Sequence, residues 1–305
     1  MTTQNKFTFW LQDFVSESDD KRYRHRLITE YPNKRNEILE ELTTYVQNAH
    51  EDARLRLRKI ADNSLDPFGL PAPFDPAEGY PELFHIRTLK GYFGEIFAGL
   101  IAEYLSPFDE SNWKVPAFLF RYHGVEFQQL EVIRQTGRHA GLRPGRTGDD
   151  CLAFQLDDKG QIIRYLYCEA KCTPKHRTKM IGDAYRKASE SVLVDLPQVI
   201  EILKQKNDAY SVQWVRAIQQ LWFQGNNHKS ERYDMVSYIC GISPVQEGRT
   251  SWLPTDKPRE EYKAQRRLEA VEIHLPNVES LIRKVYGKKE DKDDIETLDS
   301  AEYAL

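Results

Sequence analysis

Two short stretches of this 305-residue chain hold residue types that can act together on a phosphate ester. They are Thr147-Gly148-Asp149-Asp150-Cys151-Leu152-Ala153-Phe154 and Leu166-Tyr167-Cys168-Glu169-Ala170-Lys171-Cys172-Thr173. An acid opens the first apolar run, and the second ends in acid, small residue, lysine. Asp157-Asp158-Lys159-Gly160 between them suits a tight turn, so the pair reads as two strands of a hairpin over 151–156 and 162–171. Residues i and i+2 of a strand face the same side, so Glu169 and Lys171 project together. Leu166, Cys168, Ala170 and Cys172 then take the opposite, core face. A hairpin turning near 158–159 puts Asp150 opposite residue 167 or 168, one step from Glu169. Carboxylates that close can share a divalent cation, which favours hard oxygen ligands. The lysine can steer the attacking water or offset charge on the phosphate. Phosphodiester hydrolysis needs those parts: a Lewis acid, a metal-activated water and a positive group near phosphorus. Read more plainly, Glu169 and Lys171 are a structural ion pair. Glu-x-Lys alone is a weak signal; Glu272-Ile273-His274 and Glu126-Phe127-Gln128 show how readily a lone acid turns up.

Other residues bear on the same chemistry. In the segment from Gly91 to Leu105, Tyr92, Phe93, Ile96, Phe97, Leu100, Ile101 and Tyr104 cover one helical face. The other face holds Glu95, Ala98, Gly99 and Ala102. A helix apolar or small all round is buried, and a buried carboxylate needs a partner or a metal. Basic residues flank the two runs. Arg134, Arg138, Arg143 and Arg146 precede them with no acid between 134 and 148; Lys175, His176, Arg177, Lys179, Arg186 and Lys187 follow. Arginine forks on a glycine-containing segment suit phosphate contact, and basic flanks draw a polyanion toward an acidic site. Arg138, Arg143, Arg146, Lys175, Arg177 and Lys179 are therefore the candidate nucleic-acid contacts. The chain lacks the phosphate loop GxxxxGK[ST], HExxH and GxSxG. His123 has no evident partner in sequence.

The pairing of Asp150 with Glu169-Ala170-Lys171 resembles the PD-(D/E)xK nuclease superfamily, whose signature is an acid on one strand and (D/E)xK on the next. The resemblance implies a restriction-endonuclease-like α/β (α+β) fold, a mixed sheet flanked by helices. It implies Asp150, Glu169 and Lys171 as catalytic residues, with Mg²⁺ or Mn²⁺ held by Asp150, Glu169 and the backbone carbonyl of Ala170. Asp149 rivals Asp150 as the first acid, and it stands where the family signature has proline. Many members place a glutamate from the preceding core helix beside the metal, which would make Glu95 a further ligand. The Gly-Glu helix, the Gly-Asp-Asp turn and Glu-Ala-Lys-Cys-Thr are also similar to Hachiman-type nuclease subunits of anti-phage systems, over roughly residues 90–187. That likeness implies a DNA endonuclease working with a helicase or similar ATPase partner. The competing expectation is a catalytically silent nuclease-fold subunit that binds DNA or a partner protein.

The elements that must position these residues follow from periodicity. The first 65 residues read as helical, with Ile38, Leu39, Leu42, Tyr45, Val46, Ala49 and Ala53 at helical spacing. Five prolines from Pro67 to Pro81 suit a surface connection. The expected division is a helical N-terminal region over 1–82, a nuclease domain over 83–287 and an acidic, disordered tail over 288–305. Further expectations are a strand over 115–120, helices over 126–135, 178–193, 197–206, 211–224 and 277–286, and strands over 235–242 and 268–275. Hydrophobic residues make up 40% and charged residues 30% of the chain, ordinary for a globular protein. The net charge is −4, and the tail from Lys288 carries three lysines against seven acids, so the remaining body is neutral. Four cysteines in so long a chain do not suggest a disulfide scaffold. Cys168 and Cys172, four residues apart on one strand, would lie roughly 13 Å apart, too far to share a zinc ion. The N-terminus lacks a secretory-signal layout and no apolar stretch is long enough for a bilayer, so the expectation is a cytoplasmic protein.

Overall fold

The computed structural model describes residues 3–31, 33–62, 75–120, 130, 132–136, 150–190, 195–206, 208–224, 229–244 and 250–288. Arg138, Arg143, Arg146, Asp149, His123 and the acidic tail beyond residue 288 lie outside the described residues, as does half of the helix expected over 126–135.

A six-stranded mixed sheet organises the chain. Its strands are β1 (Leu11–Glu17), β2 (Tyr23–Glu30), β3 (Cys151–Leu156), β4 (Ile162–Thr173), β5 (Glu231–Cys240) and β6 (Leu268–His274), in the spatial order β1-β2-β6-β5-β4-β3. The four central strands run parallel to one another, and β1 and β3 are antiparallel edges. Helices cover both faces. On one lie α1 (Thr3–Trp10), α2 (Arg35–Ala49), α3 (Glu51–Asp62), α4 (Ile86–Tyr104) and α8 (Val278–Val285); on the other lie α5 (Thr178–Glu190), α6 (Leu196–Lys206) and α7 (Ala209–Gln224). The alternation of the strands explains the two cores. Cys151, Leu166, Cys168, Ala170, Met235 and Ile239 pack toward α4, while Leu152, Tyr167, Val236 and Tyr238 pack toward α5. Helices on both faces of a mainly parallel sheet are the arrangement that buries such strands on both sides.

The expected mixed α/β architecture is therefore present, with two corrections. The first 65 residues are not helical throughout: Leu11–Glu17 and Tyr23–Glu30 are strands, and β2 joins the sheet beside β6. Charge hides this strand in the sequence. Arg24, His25 and Arg26 are all buried, and ion pairs make that tolerable: Arg24 with Asp109, and Arg26 with Glu269 and Asp13. The segment 115–120 is not a strand either; one antiparallel bridge, Lys114 to Phe154, ties this part of the chain to β3. The helical face Ile38, Leu42, Val46 and Ala49 is buried as its spacing predicts. No helix of the described residues is long and apolar enough to cross a membrane.

The candidate site sits at the carboxyl end of β4. Asp157 closes the β3–β4 turn by accepting hydrogen bonds from the backbone N–H groups of Lys159 and Gln161, and Gly160 supplies the positive φ of +74°. Pairing runs from Leu156 opposite Ile162 to Gln155 opposite Arg164, so Ile163 is an extra, bulged residue. From there Cys151 stands opposite Cys168.

Candidate active site

The bulge at Ile163 decides the geometry. A regular hairpin with this turn puts Asp150 opposite residue 168 or 167. One extra residue in β4 moves the pairing by one step and brings Asp150 level with Glu169. Asp150 Oδ2 accepts a hydrogen bond from the Ala170 N–H at 2.8 Å, which anchors the acid at the mouth of the strand pair. Asp150 and Glu169 are both fully buried.

Lys171 ties the acids together. Its Nζ touches Glu169 Oε1, lies 3.7 Å from Asp150 Oδ2 and donates to the Ala170 carbonyl at 3.1 Å. The two carboxylates and the carbonyl thus converge on one cationic nitrogen. All three donors are hard oxygens, the kind Mg²⁺ and Mn²⁺ prefer, and a cation already sits among them in the form of the ammonium. The residues present fit a divalent ion to that extent.

Glu169 has two further partners, neither assigned to it in the sequence. The Tyr167 hydroxyl donates to Oε2 at 3.2 Å, and Lys187 Nζ of α5 lies 3.3 Å from Oε1. Tyr167 was legible, two residues before Glu169 on the same strand face. Lys187 was counted only among the basic flank, yet it borders the buried stripe Ile181, Ala184, Tyr185 and Ala188 that seats α5 on the sheet. Burial pushes the Glu169 carboxyl above its ordinary range and the charge of Asp150 adds to this, while Lys171 and Lys187 hold it down.

Glu95 is buried, as the all-round apolar helix predicts. Its helix lies against the other face of β4: a Cβ on Gly94 would stand 3.4 Å from Cys172 Cβ and 3.8 Å from Ala170 Cβ. Glu95 exerts its charge on Cys151 and Tyr286, on the α4 side. Among the described residues no three His, Cys, Asp or Glu side chains form a group able to hold a metal ion.

Lys175, Arg177 and Lys179 follow β4 directly and are exposed, and among the described residues none is in an ion pair. Tyr238 of β5 braces the segment by accepting from the Arg177 N–H at 3.0 Å. The cysteines are unbonded, and burial pushes the Cys172 thiol up to about 12. Compared with known protein families and with curated proteins, the chain matches none. The residues themselves carry the functional reading.

Proposed function

We propose that this chain is a metal-dependent nuclease of the restriction-endonuclease-like type, hydrolysing phosphodiester bonds of DNA. The observation that carries this reading is the convergence of Asp150, Glu169 and the Ala170 carbonyl on one cation position at the end of β4. The antiparallel β3–β4 pair, the helix α5 and the parallel strand β5 surround it within a mixed sheet flanked by helices. Asp150 and Glu169 would hold Mg²⁺ or Mn²⁺ together with Ala170, and the bound ion would supply Lewis-acid stabilisation and a water of lowered pKa. Lys171 positions its ammonium beside the reacting phosphate and balances its charge. Lys175, Arg177 and Lys179 receive the backbone of the strand, a contact that is sequence-independent and salt-sensitive.

Purified protein should cut DNA in Mg²⁺ or Mn²⁺ and stop in EDTA. Asp150→Ala, Glu169→Ala and Lys171→Ala should each lower cutting by roughly a thousandfold or more, because the site acts as a unit. Metal-independent cutting, or full activity in Lys171→Ala, would remove the reading. A second reading has one observation in its favour. Glu169 already carries two lysines and a tyrosine hydroxyl, as a buried structural ion pair would. In that case the chain is a silent subunit that binds DNA or a partner, and the three variants bind DNA normally with no cutting in any of them or in the wild type.

A further inference from the structure

The partners of Glu169 exceed what a metal ligand needs. Both carboxylate oxygens are engaged, Oε1 by Lys171 and Lys187 and Oε2 by Tyr167. Tyr167 and Lys171 belong to β4 itself. Lys187 comes from α5, and its side chain is 35% exposed against 15% for Lys171 and 0% for Glu169. Among the described residues the ion pair with Glu169 is the one Lys187 makes. Its neighbour Arg186 is engaged elsewhere on the helix surface, with Asp183 and Glu190. Lys187 is therefore a long, solvent-reaching cation whose buried end rests on a proposed metal ligand.

An ammonium and a divalent cation repel one another when they share a carboxylate oxygen. Binding of the ion at Glu169 is thus opposed for as long as Lys187 stays there. A backbone phosphate offers Lys187 a better-hydrated partner of the same sign as Glu169. We propose that Lys187 is a substrate-responsive gate on the metal site: without nucleic acid it shares Glu169 Oε1 with Lys171, and a DNA phosphate arriving beside α5 draws it away and leaves that oxygen one ammonium fewer to compete with a divalent cation. The gate rests on the reading of Asp150 and Glu169 as metal ligands. Linkage makes it reciprocal, so DNA tightens metal binding by the factor by which metal tightens DNA binding.

Mn²⁺ binding to the full chain, followed by electron paramagnetic resonance with and without a hydrolysis-resistant phosphorothioate DNA duplex, tests it. The wild type should bind Mn²⁺ about tenfold more tightly with DNA present, within the usual range of allosteric coupling. Lys187→Met and the more conservative Lys187→Gln should bind Mn²⁺ without DNA about as tightly as the wild type does with it, and DNA should then add little. Neutral variants that bind Mn²⁺ no more tightly than the DNA-free wild type overturn the gate, as does a DNA effect that survives in them. Failure of the underlying reading looks different: Asp150→Asn and Glu169→Gln retain wild-type Mn²⁺ affinity, or the wild type binds no Mn²⁺ in any condition.

Discussion

Two glutamates, both fully buried on the α5 face of the sheet, show how neighbours decide what a carboxylate does. Glu169 is held above the ordinary range by burial and by Asp150. Glu272 feels burial too, but hydrogen bonds from His25, His274, Ser251 and the Trp252 N–H outweigh it and hold this carboxyl at about 2. In the sequence Glu272 served as an example of a lone acid in a strand. Apart from His274, two residues on in the same strand, its partners come from β2 and from residues 251–253, which no local pattern could place beside it. The linkage sign follows. A carboxyl lowered in the folded state stabilises the fold above its unfolded value, here 4.5, and that contribution is lost as pH falls from 4.5 toward 2. Glu169 works in the opposite direction, weakening the fold as pH rises past 4.5. The Glu272→Gln variant should be less stable than wild type by about 3 kcal/mol at pH 7, the gap narrowing steadily as pH drops through that window. Urea unfolding at pH 7, 5 and 3 measures it, and a gap independent of pH would refute the argument. Glu95 calls for a different comparison. With its helix packed on the other face of β4 from Glu169, Glu95→Gln should keep Mn²⁺ affinity near the wild-type value. Glu95→Ala should lose about 1–3 kcal/mol of stability, because a buried polar contact is removed. A tenfold loss of Mn²⁺ affinity in Glu95→Gln, seen by calorimetric titration, would instead make it a metal ligand.

Among the elements, β3, β4, β5, β6 and the helices α5, α6, α7 and α8 were legible, because each carries an uninterrupted apolar pattern bounded by turn residues. The Glu169–Lys171 face was legible for the same reason. The one-step displacement of Asp150 was not, since a bulge at Ile163 leaves no mark in a pattern of Ile162, Ile163 and Tyr165 that suits a strand with or without it. β2 was hidden by its arginines, whose acidic partners Asp109 and Glu269 lie far along the chain. The end of β5 also bears on the site. Gly241 donates its N–H to the Thr173 carbonyl at 3.0 Å, and a Cβ there would stand 2.6 Å from the Pro174 carbonyl oxygen. That contact is with backbone, so no side chain can swing aside. Gly241→Ala should therefore cost about 1–3 kcal/mol of stability by overpacking. It should also lower cleavage, because Pro174 continues the strand that bears Glu169 and Lys171. Thermal unfolding and a cleavage assay check both parts; wild-type values for each would show that the two chain segments separate freely.

For the molecule as a whole, charge is unevenly spread. Seven acids and three lysines lie from residue 288 onward, while Lys175, Arg177 and Lys179 stand exposed beside the proposed site. A backbone-binding nuclease, as proposed for this chain, would need restraint, and the sequence resemblance supplies the partner to test: a helicase or similar ATPase. Purification of the chain with its native gene neighbours should yield a stable complex in which cutting is suppressed, and a lone chain with high turnover on any plasmid would count against it. The sheet also imposes an order on biosynthesis. β2, formed from residues 23–30, pairs with β1 within the first 30 residues, but its other neighbour is β6, residues 268–274. A ribosome adding about 5–20 residues per second needs on the order of tens of seconds to supply that strand. Through that interval Arg24 and Arg26 wait without Glu269, and His25 without Glu272. The hairpin β3–β4 and its acids emerge well before the sheet can close around them, so a nascent chain holds the acids of the proposed site before it holds their frame.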